Sequence, residues 1–188
     1  MPDAVFAAWR ARVEAALDRV LRDPAVSPER LHAAMRHGVL NGGKRMRPLL
    51  VYATGTALGA DEAALDDAAV AVELIHCYSL VHDDLPAVDD DALRRGQPTV
   101  HVAFDEATGS RAGEARQARA LRVLAGAPLA AERRVTMLAE LARASGAAGM
   151  CGGQALDIDA PGSAQRGQSH VFGRDTSTVA ALPPKTDP

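Results

Sequence analysis

The chain has 188 residues, of which 47% are hydrophobic, enough to fill one sizeable core. Its net charge of −3 and aromatic content of only 3% exclude a general attraction to nucleic acid or anionic membranes, and also a platform for stacking bases. No apolar run reaches the roughly 18 residues of a membrane span. Cys77 and Cys151 lack CxxC spacing, so we expect a cytoplasmic protein with reduced thiols.

The first half of the chain predicts a series of amphipathic helices, because apolar residues recur at steps of three and four. Phe6, Trp9 and Val13 begin the first stripe, which ends before the proline at position 24. The hydroxyl of Ser27 and the proline that follows it predict the start of a second helix, which ends at the glycines of positions 42–43. Two more helices are predicted over residues 48–58 and, capped by Asp61, up to residues 83–84.

Beyond the proline at position 98 the helical patterns are less regular. A helix over about residues 104–124 has no clean apolar stripe, because arginines such as Arg116 and Arg119 interrupt it. A continuous helix over residues 132–155 has a face of small residues that another helix could approach closely. The periodicity ends at Pro161-Gly162, so we expect residues 161–188 to be disordered. The alanine-rich, strand-poor composition predicts an all-α fold.

An acidic segment, VHDDLPAVDDDALRRGQPT, follows the long fourth helix. His76 and Asp83 are close to two helical turns apart and therefore lie on one face. Across a short bend that contains a proline, Asp83 and the aspartates at 89–91 could supply hard oxygen ligands to Mg²⁺, which prefers a few carboxylates together with substrate phosphate oxygens. The glycine and late glutamate of a calcium-binding EF-hand loop are missing. The alternative is a helix end followed by a solvated acidic loop.

A basic segment, NGGKRMRP, lies between the second and third helices. Its glycines let the backbone bend, Lys44, Arg45 and Arg47 supply cations, and Pro48 starts a helix whose amide end favours an anion. These features predict a phosphate cradle, although a basic surface turn would have the same sequence. A nucleotide-binding P-loop is disfavoured because Arg45 stands where a hydroxyl residue would hold Mg²⁺.

Two further groups could bind an anion or a metal. Arg94 and Arg95 could clamp a diphosphate in bidentate fashion, or could simply neutralise the aspartates that precede them. Gln154 and Asp157, in the sequence GGQALDID, are one helical turn apart and can meet a ligand on one face.

Taken together and in this order, the segments GGKRMRP, ELIHCYSLVHDDLPAVDDDALRRGQPT and GMCGGQALDID resemble consecutive blocks of the trans-type prenyl diphosphate synthases, and most closely those of the bacterial farnesyl diphosphate synthases. The likeness runs from about residue 36 to residue 159. It implies an antiparallel helical bundle of the isoprenoid synthase type around a deep cavity, usually homodimeric. It also implies an Mg²⁺-dependent condensation of isopentenyl diphosphate with dimethylallyl or geranyl diphosphate to farnesyl diphosphate.

The resemblance also implies roles for individual residues. Asp83, Asp84 and Asp89 match the metal-binding and catalytic positions of the first aspartate-rich motif, and Arg94 matches the arginine that grips the allylic diphosphate. Four residues match those that hold isopentenyl diphosphate: Lys44, Arg47, His76 and Arg95. Gln154 and Asp157 match residues that line the cavity beside them. Tyr78 has the place of an aromatic residue that limits product length.

The sequence departs from this family in two places. Family members continue beyond the block that ends at Asp159, through a Lys-Thr pair in a helix and a second aspartate-rich motif. This sequence has neither in a matching context, because Lys185-Thr186 lies between prolines and no second aspartate-rich motif follows Gly162. We therefore expect residues 1–160 to form the N-terminal part of a synthase domain and the tail to be unrelated, as after a frameshift. Activity would then be impaired, and the alternative is a non-catalytic helical fragment that binds diphosphate or dimerises with an intact synthase. Arg116 and Arg119 replace apolar family residues and would damage packing or face solvent.

Overall fold

A computed structural model of the chain describes residues 2–160, which form eight helices and one short hairpin. The helices are α1 Pro2–Val20, α2 Glu29–His37, α3 Met46–Ala57, α4 Glu62–Asp83, α5 Val100–Ala103, α6 Glu106–Ala125, α7 Ala131–Ser145 and α8 Met150–Asp159. Strands β1 Leu93–Arg94 and β2 Gln97–Pro98 pair antiparallel and were not predicted. The all-α prediction is confirmed. The predicted tail, residues 161–188, lies outside the described residues.

Helix α4 lies at the centre of the fold, packed against α1, α3 and, most extensively, α6. Its middle is apolar nearly all round and is buried, with Val70, Leu74 and Cys77 in the core. Helix α6 comes close because Gly113 has no side chain, and a Cβ there would overlap the His82 ring. This packing holds the carboxyl end of α4, where the acidic segment begins, against a rigid neighbour.

Two arginines of α6 cap the ends of other helices, so neither simply faces solvent, although Nη1 of Arg116 is buried without a partner among the described residues. Arg116 is fully buried and donates from Nη2 to the carbonyl oxygens of Ala34, at 2.7 Å, and Met35, at 3.0 Å, in α2. Arg119 donates from Nε to the carbonyl oxygen of Val20, the last residue of α1, at 2.7 Å. Carbonyls at a helix end lack partners within the helix and carry partial negative charge, which these guanidiniums satisfy. Burial lowers the pKa of Arg116 to about 10.

Three predicted helix boundaries are wrong. Ser27 does not cap α2, whose N-cap position is occupied by Pro28, and α2 ends at His37 before the glycine loop. The helix predicted over residues 132–155 is divided between α7 and α8 by the segment 146–149. Glycines at both ends of that segment weaken helix propensity. The break lets α8 turn back towards the end of α4.

None of the helices within residues 2–160 is long and apolar enough to cross a membrane.

Candidate active site

A cavity of about 600 Å³ opens between the glycine loop before α3 and the middle of α4. It is lined by Asn41, Gly43, Lys44, Arg45, Met46, Arg47, Glu73, His76 and Arg95. Four residues that the resemblance assigns to isopentenyl diphosphate therefore meet at one cavity, although they come from a loop, two helices and a hairpin. Lys44 and Arg47 are exposed at its rim. Neither forms an ion pair with a carboxylate of residues 2–160.

The glycine loop is shaped to receive an arginine from the hairpin. Gly42 and Gly43 have φ angles of +82° and +134°, which residues with a side chain rarely adopt. A Cβ on Gly43 would overlap the guanidinium of Arg95. Arg95 donates to the carbonyl oxygen of Gly42 and, at 3.3 Å, to Oδ1 of Asn41. The absence of a side chain at Gly43 thus lets Arg95 reach the cavity.

Arg45 does not supply a free cation, contrary to the expectation from the sequence. Its side chain is 0% exposed. Its Nε and Nη2 donate to the two carboxylate oxygens of Glu14 at 2.6 and 3.1 Å, and its Nη1 donates to Oε1 of Glu73 at 2.8 Å. Nη2 also donates to the carbonyl oxygen of Val39 at 2.7 Å. The cations available to a ligand are therefore those of Lys44, Arg47 and Arg95.

His76 is a neutral member of this group at pH 7. Burial lowers the pKa of its imidazole below the ordinary 6.5, and the nearby charge of Arg47 lowers it further, against a smaller opposing effect from Glu73. The ring therefore offers a hydrogen bond to an anion without adding a charge.

The two carboxylates at the acidic end of α4 lie in different environments. Asp83 accepts hydrogen bonds from Gln154 Nε2 at 2.8 Å to each carboxylate oxygen. Burial, and then repulsion from Asp89 and Asp84, raise the pKa of Asp83 despite that amide. Asp84 is buried and paired with Arg94, whose Nε lies 2.6 Å from Oδ1. Burial raises the pKa of Asp84 too, and the hydrogen bond from Arg94 opposes this effect.

The donor set at this end has the chemistry that Mg²⁺ requires. Asp83 forms no ion pair with another residue of 2–160, and Asp89 is exposed, with its amide donating to the Asp83 carbonyl oxygen at 2.9 Å. Two carboxylates of this kind, completed by phosphate oxygens and water, suit an octahedral hard cation. Within residues 2–160, however, no three His, Cys, Asp or Glu side chains converge on one point. The assignment of Asp83, Asp84 and Asp89 to a metal stays a prediction.

Helix α8 approaches the end of α4 rather than the cationic cavity. Gln154 contacts Asp83 and is not among the residues that line the cavity, while Asp157, one turn further on, is exposed. Tyr78 also lies at this junction, with its hydroxyl 3.4 Å from Sγ of Cys151 and its ring edge-on to His82, the ring centroids 5.0 Å apart. The contact with Cys151 and burial raise the pKa of Tyr78 to about 12.

Asn41 and Glu73 line the cavity but were missed from the sequence. Glu73 carried a usable signal, because it is the one charged residue in the apolar run AAVAVELIHCY of a helix predicted to be buried. A carboxylate in such a place needs a cationic partner. Asn41 carried no such signal, since asparagine before glycines is typical of any loop.

An all-α framework with cations around one cavity and carboxylates at the end of a neighbouring helix has the groups that suit binding of an anionic ligand beside a cluster of carboxylates. The sequence of the chain matches the model of the "Polyprenyl synthetase" family over residues 28–175. The chain belongs to the polyprenyl synthetase family.

Relatives and solved structures agree with this membership. The chain is 59% identical over 131 residues to a farnesyl diphosphate synthase of Escherichia coli K12. The aligned region covers 68% of this chain and 44% of that protein. It superposes with a TM-score of 0.79 on a geranyltransferase from Legionella pneumophila, at 42% identity, covering 82% of this chain and 55% of the other. An FPP/GFPP synthase from Zymomonas mobilis gives a TM-score of 0.80 at 38% identity, covering 88% and 63%. The chain thus spans about half the length of these proteins.

Proposed function

We propose that this chain is the N-terminal part of a prenyltransferase that condenses isopentenyl diphosphate with dimethylallyl or geranyl diphosphate to give farnesyl diphosphate. The observation that carries the proposal is the meeting of Lys44, Arg47, His76 and Arg95 at one cavity, beside the helix that carries Asp83. The name of the relatives, farnesyl diphosphate synthase, supports the same reaction class.

The cavity is the site for isopentenyl diphosphate. Two guanidiniums can each bind two diphosphate oxygens, the Lys44 ammonium adds a point charge, and the neutral His76 adds a hydrogen bond. A cavity of about 600 Å³ has room for a diphosphate with a five-carbon chain. Because no carboxylate among residues 2–160 neutralises Lys44 or Arg47, the unliganded site attracts anions.

The allylic diphosphate binds at the end of α4, where Asp83 and Asp89, with Asp84, would hold Mg²⁺. Bound there, Mg²⁺ would neutralise charge on the diphosphate leaving group. Arg94 is already held by Asp84 and, at 3.1 Å, by Asp91, so its guanidinium is oriented before substrate arrives. Gln154 holds the carboxylate of Asp83 in the same way. These contacts reduce the rearrangement needed on binding.

The reaction requires that the two substrates be positioned and that the charge on the leaving diphosphate be stabilised, and it needs no nucleophile from the protein. The carbon–oxygen bond of the allylic diphosphate breaks, the double bond of isopentenyl diphosphate attacks the resulting allylic cation, and a proton is lost to the departed diphosphate. Guanidiniums aimed at the leaving group stabilise the negative charge that develops on it. The absence of a serine or cysteine among the cavity-lining residues agrees with this chemistry.

Three finer assignments belong to the proposal. Tyr78 lies at the α4–α8 junction near the aspartates, where a tyrosine ring would stop a growing chain at farnesyl length. The functional form is a homodimer, and the protein acts in the cytoplasm.

A second candidate is a non-catalytic fragment that binds diphosphate or associates with an intact synthase. Its support is that α7 and α8 expose large apolar residues. Val135 is 66% exposed, Leu156 73% and Ile158 58%. Exposed apolar groups of this kind mark surfaces that other protein covers.

One assay separates the two candidates. The 188-residue chain is incubated with Mg²⁺, isopentenyl diphosphate and dimethylallyl diphosphate, and prenyl products are quantified after phosphatase treatment. A synthase yields farnesol and geraniol, and the Asp83→Ala variant yields at least about a hundredfold less, as expected when a transition-state charge contact is lost. Binding of isopentenyl diphosphate without product identifies the non-catalytic fragment. Equal product from both chains would show that Asp83 has no part in the reaction.

A further inference from the structure

The buried side chain of Arg45 connects the two halves of the cationic cavity. Lys44 and Arg47 belong to the loop and first turn of α3, whereas His76 belongs to α4. Arg45 lies in that loop and reaches Glu73, which lines the same cavity one turn before His76. A single guanidinium therefore joins the segment that carries two cations to the helix that carries the imidazole.

The contacts of Arg45 also hold this junction to the rest of the fold. Glu14 of α1 takes a bidentate pair of hydrogen bonds, at 2.6 and 3.1 Å, and the carbonyl of Val39, after α2, takes a third at 2.7 Å. Bidentate arginine–carboxylate pairs constrain direction as well as distance. Four consecutive parts of the chain thus meet at one buried side chain.

The backbone of Arg45 indicates that its position is imposed by these contacts. Its φ of +51° and ψ of +35° are left-handed, which is unfavourable for a residue with a side chain. Such a conformation persists where the surroundings over-determine it, and it occurs preferentially at ligand sites. Arg45 is also the N-cap residue of α3, so its conformation sets the direction in which Arg47 leaves the loop.

We propose that Arg45, with Glu14 and Glu73, is the positioning residue of the cationic cavity, which holds Lys44 and Arg47 opposite His76 so that one diphosphate contacts all three. Arg45 acts through protein contacts, because four of its five N–H donors bind Glu14, Glu73 and the Val39 carbonyl. This inference rests on the proposed function, since it assigns a positioning role at the proposed isopentenyl diphosphate site.

The test compares two arginine-to-lysine variants. R45K keeps the charge but removes the fork that contacts Glu14, Glu73 and Val39 together. R12K is the matched control, because Arg12 also joins α1 to another helix through a bidentate pair, with Asp66 at 2.6 and 2.9 Å, and does not line the cationic cavity. Calorimetric affinity for isopentenyl diphosphate, amide hydrogen exchange of residues 42–47 and thermal melting are measured on the full chain.

We expect R45K to weaken binding on the order of tenfold, which corresponds to about 1.4 kcal/mol, and to accelerate exchange across residues 42–47. R12K should lower the melting temperature yet keep the affinity within about twofold of the wild type. A wild type that binds and an R45K that binds as well as R12K would overturn the positioning role while leaving the proposed function intact. A folded wild type that does not bind would overturn the proposed function, and the positioning role with it.

Discussion

Removing Arg45 should leave a buried carboxylate without a partner and therefore destabilise the fold strongly. In the Arg45→Met variant, Glu73 loses the donor to its Oε1, and its Oε2 already has no partner within the described residues. Glu73 is 1% exposed, so water does not replace the lost contact. Breaking one partner out of a buried ion pair costs about 3–5 kcal/mol.

The companion double variant separates the charge from the packing. Arg45→Met with Glu73→Leu removes both buried charges, so the orphaned carboxylate no longer exists. The carbonyl of Val39 still loses a donor, which costs about 1–3 kcal/mol, while Glu14, with a 35% exposed side chain, regains water. We therefore expect the double variant to be more stable than the Arg45→Met single variant, which is an unusual order for two core substitutions.

Urea unfolding followed by circular dichroism measures these free energies, and thermal melts provide a check. At roughly 2–4 °C per kcal/mol for a domain of this size, a loss of about 3–5 kcal/mol in Arg45→Met should lower the melting temperature by roughly 6–20 °C. A loss below about 1 kcal/mol, or a double variant less stable than the Arg45→Met variant, would show that Arg45 and Glu73 are not a buried pair in solution.

Two further predictions concern the aspartate end and the glycine loop. The pKa of Asp83 is raised above 3.8, so the stability tied to its protonated form is present at low pH and lost as pH rises through the raised pKa. Asp83→Asn should therefore melt at a higher temperature than wild type at pH 7 and at nearly the same temperature near pH 3; a lower melting temperature at pH 7 contradicts this. In titrations, Gly43→Ala should weaken isopentenyl diphosphate binding at least about tenfold more than Gly42→Ala does. Both glycines have positive φ angles, but only a Cβ on Gly43 overlaps Arg95. Equal losses of affinity in the two variants would exclude a role for the close approach of Gly43 to Arg95.

The sequence by itself determined most of the longer helices and their order, because helix formation depends on neighbours three and four residues apart. The stripe through Trp9 and Val13 predicted α1, and the position of Asp61 predicted the start of α4, whereas the short helix α5 was not predicted. The end of α2 and the break between α7 and α8 were missed. Both lie at glycine-containing segments, where several chain directions are locally acceptable and long-range contacts choose among them.

Only the tertiary structure decided which charged residues face a ligand. In the sequence, Lys44 and Arg45 are adjacent cations in one loop and look equivalent. The fold leaves Lys44 exposed at the cavity and buries Arg45 between Glu14 and Glu73, residues 31 and 28 positions away. The partner of Asp83, Gln154, was likewise hidden from any local pattern, whereas the pairing of Arg94 with a preceding aspartate was one of the two expectations for it. The environment of a side chain depends on segments that are far away in the sequence. The spacing of residues along the chain does not show which of those segments will fold close to it.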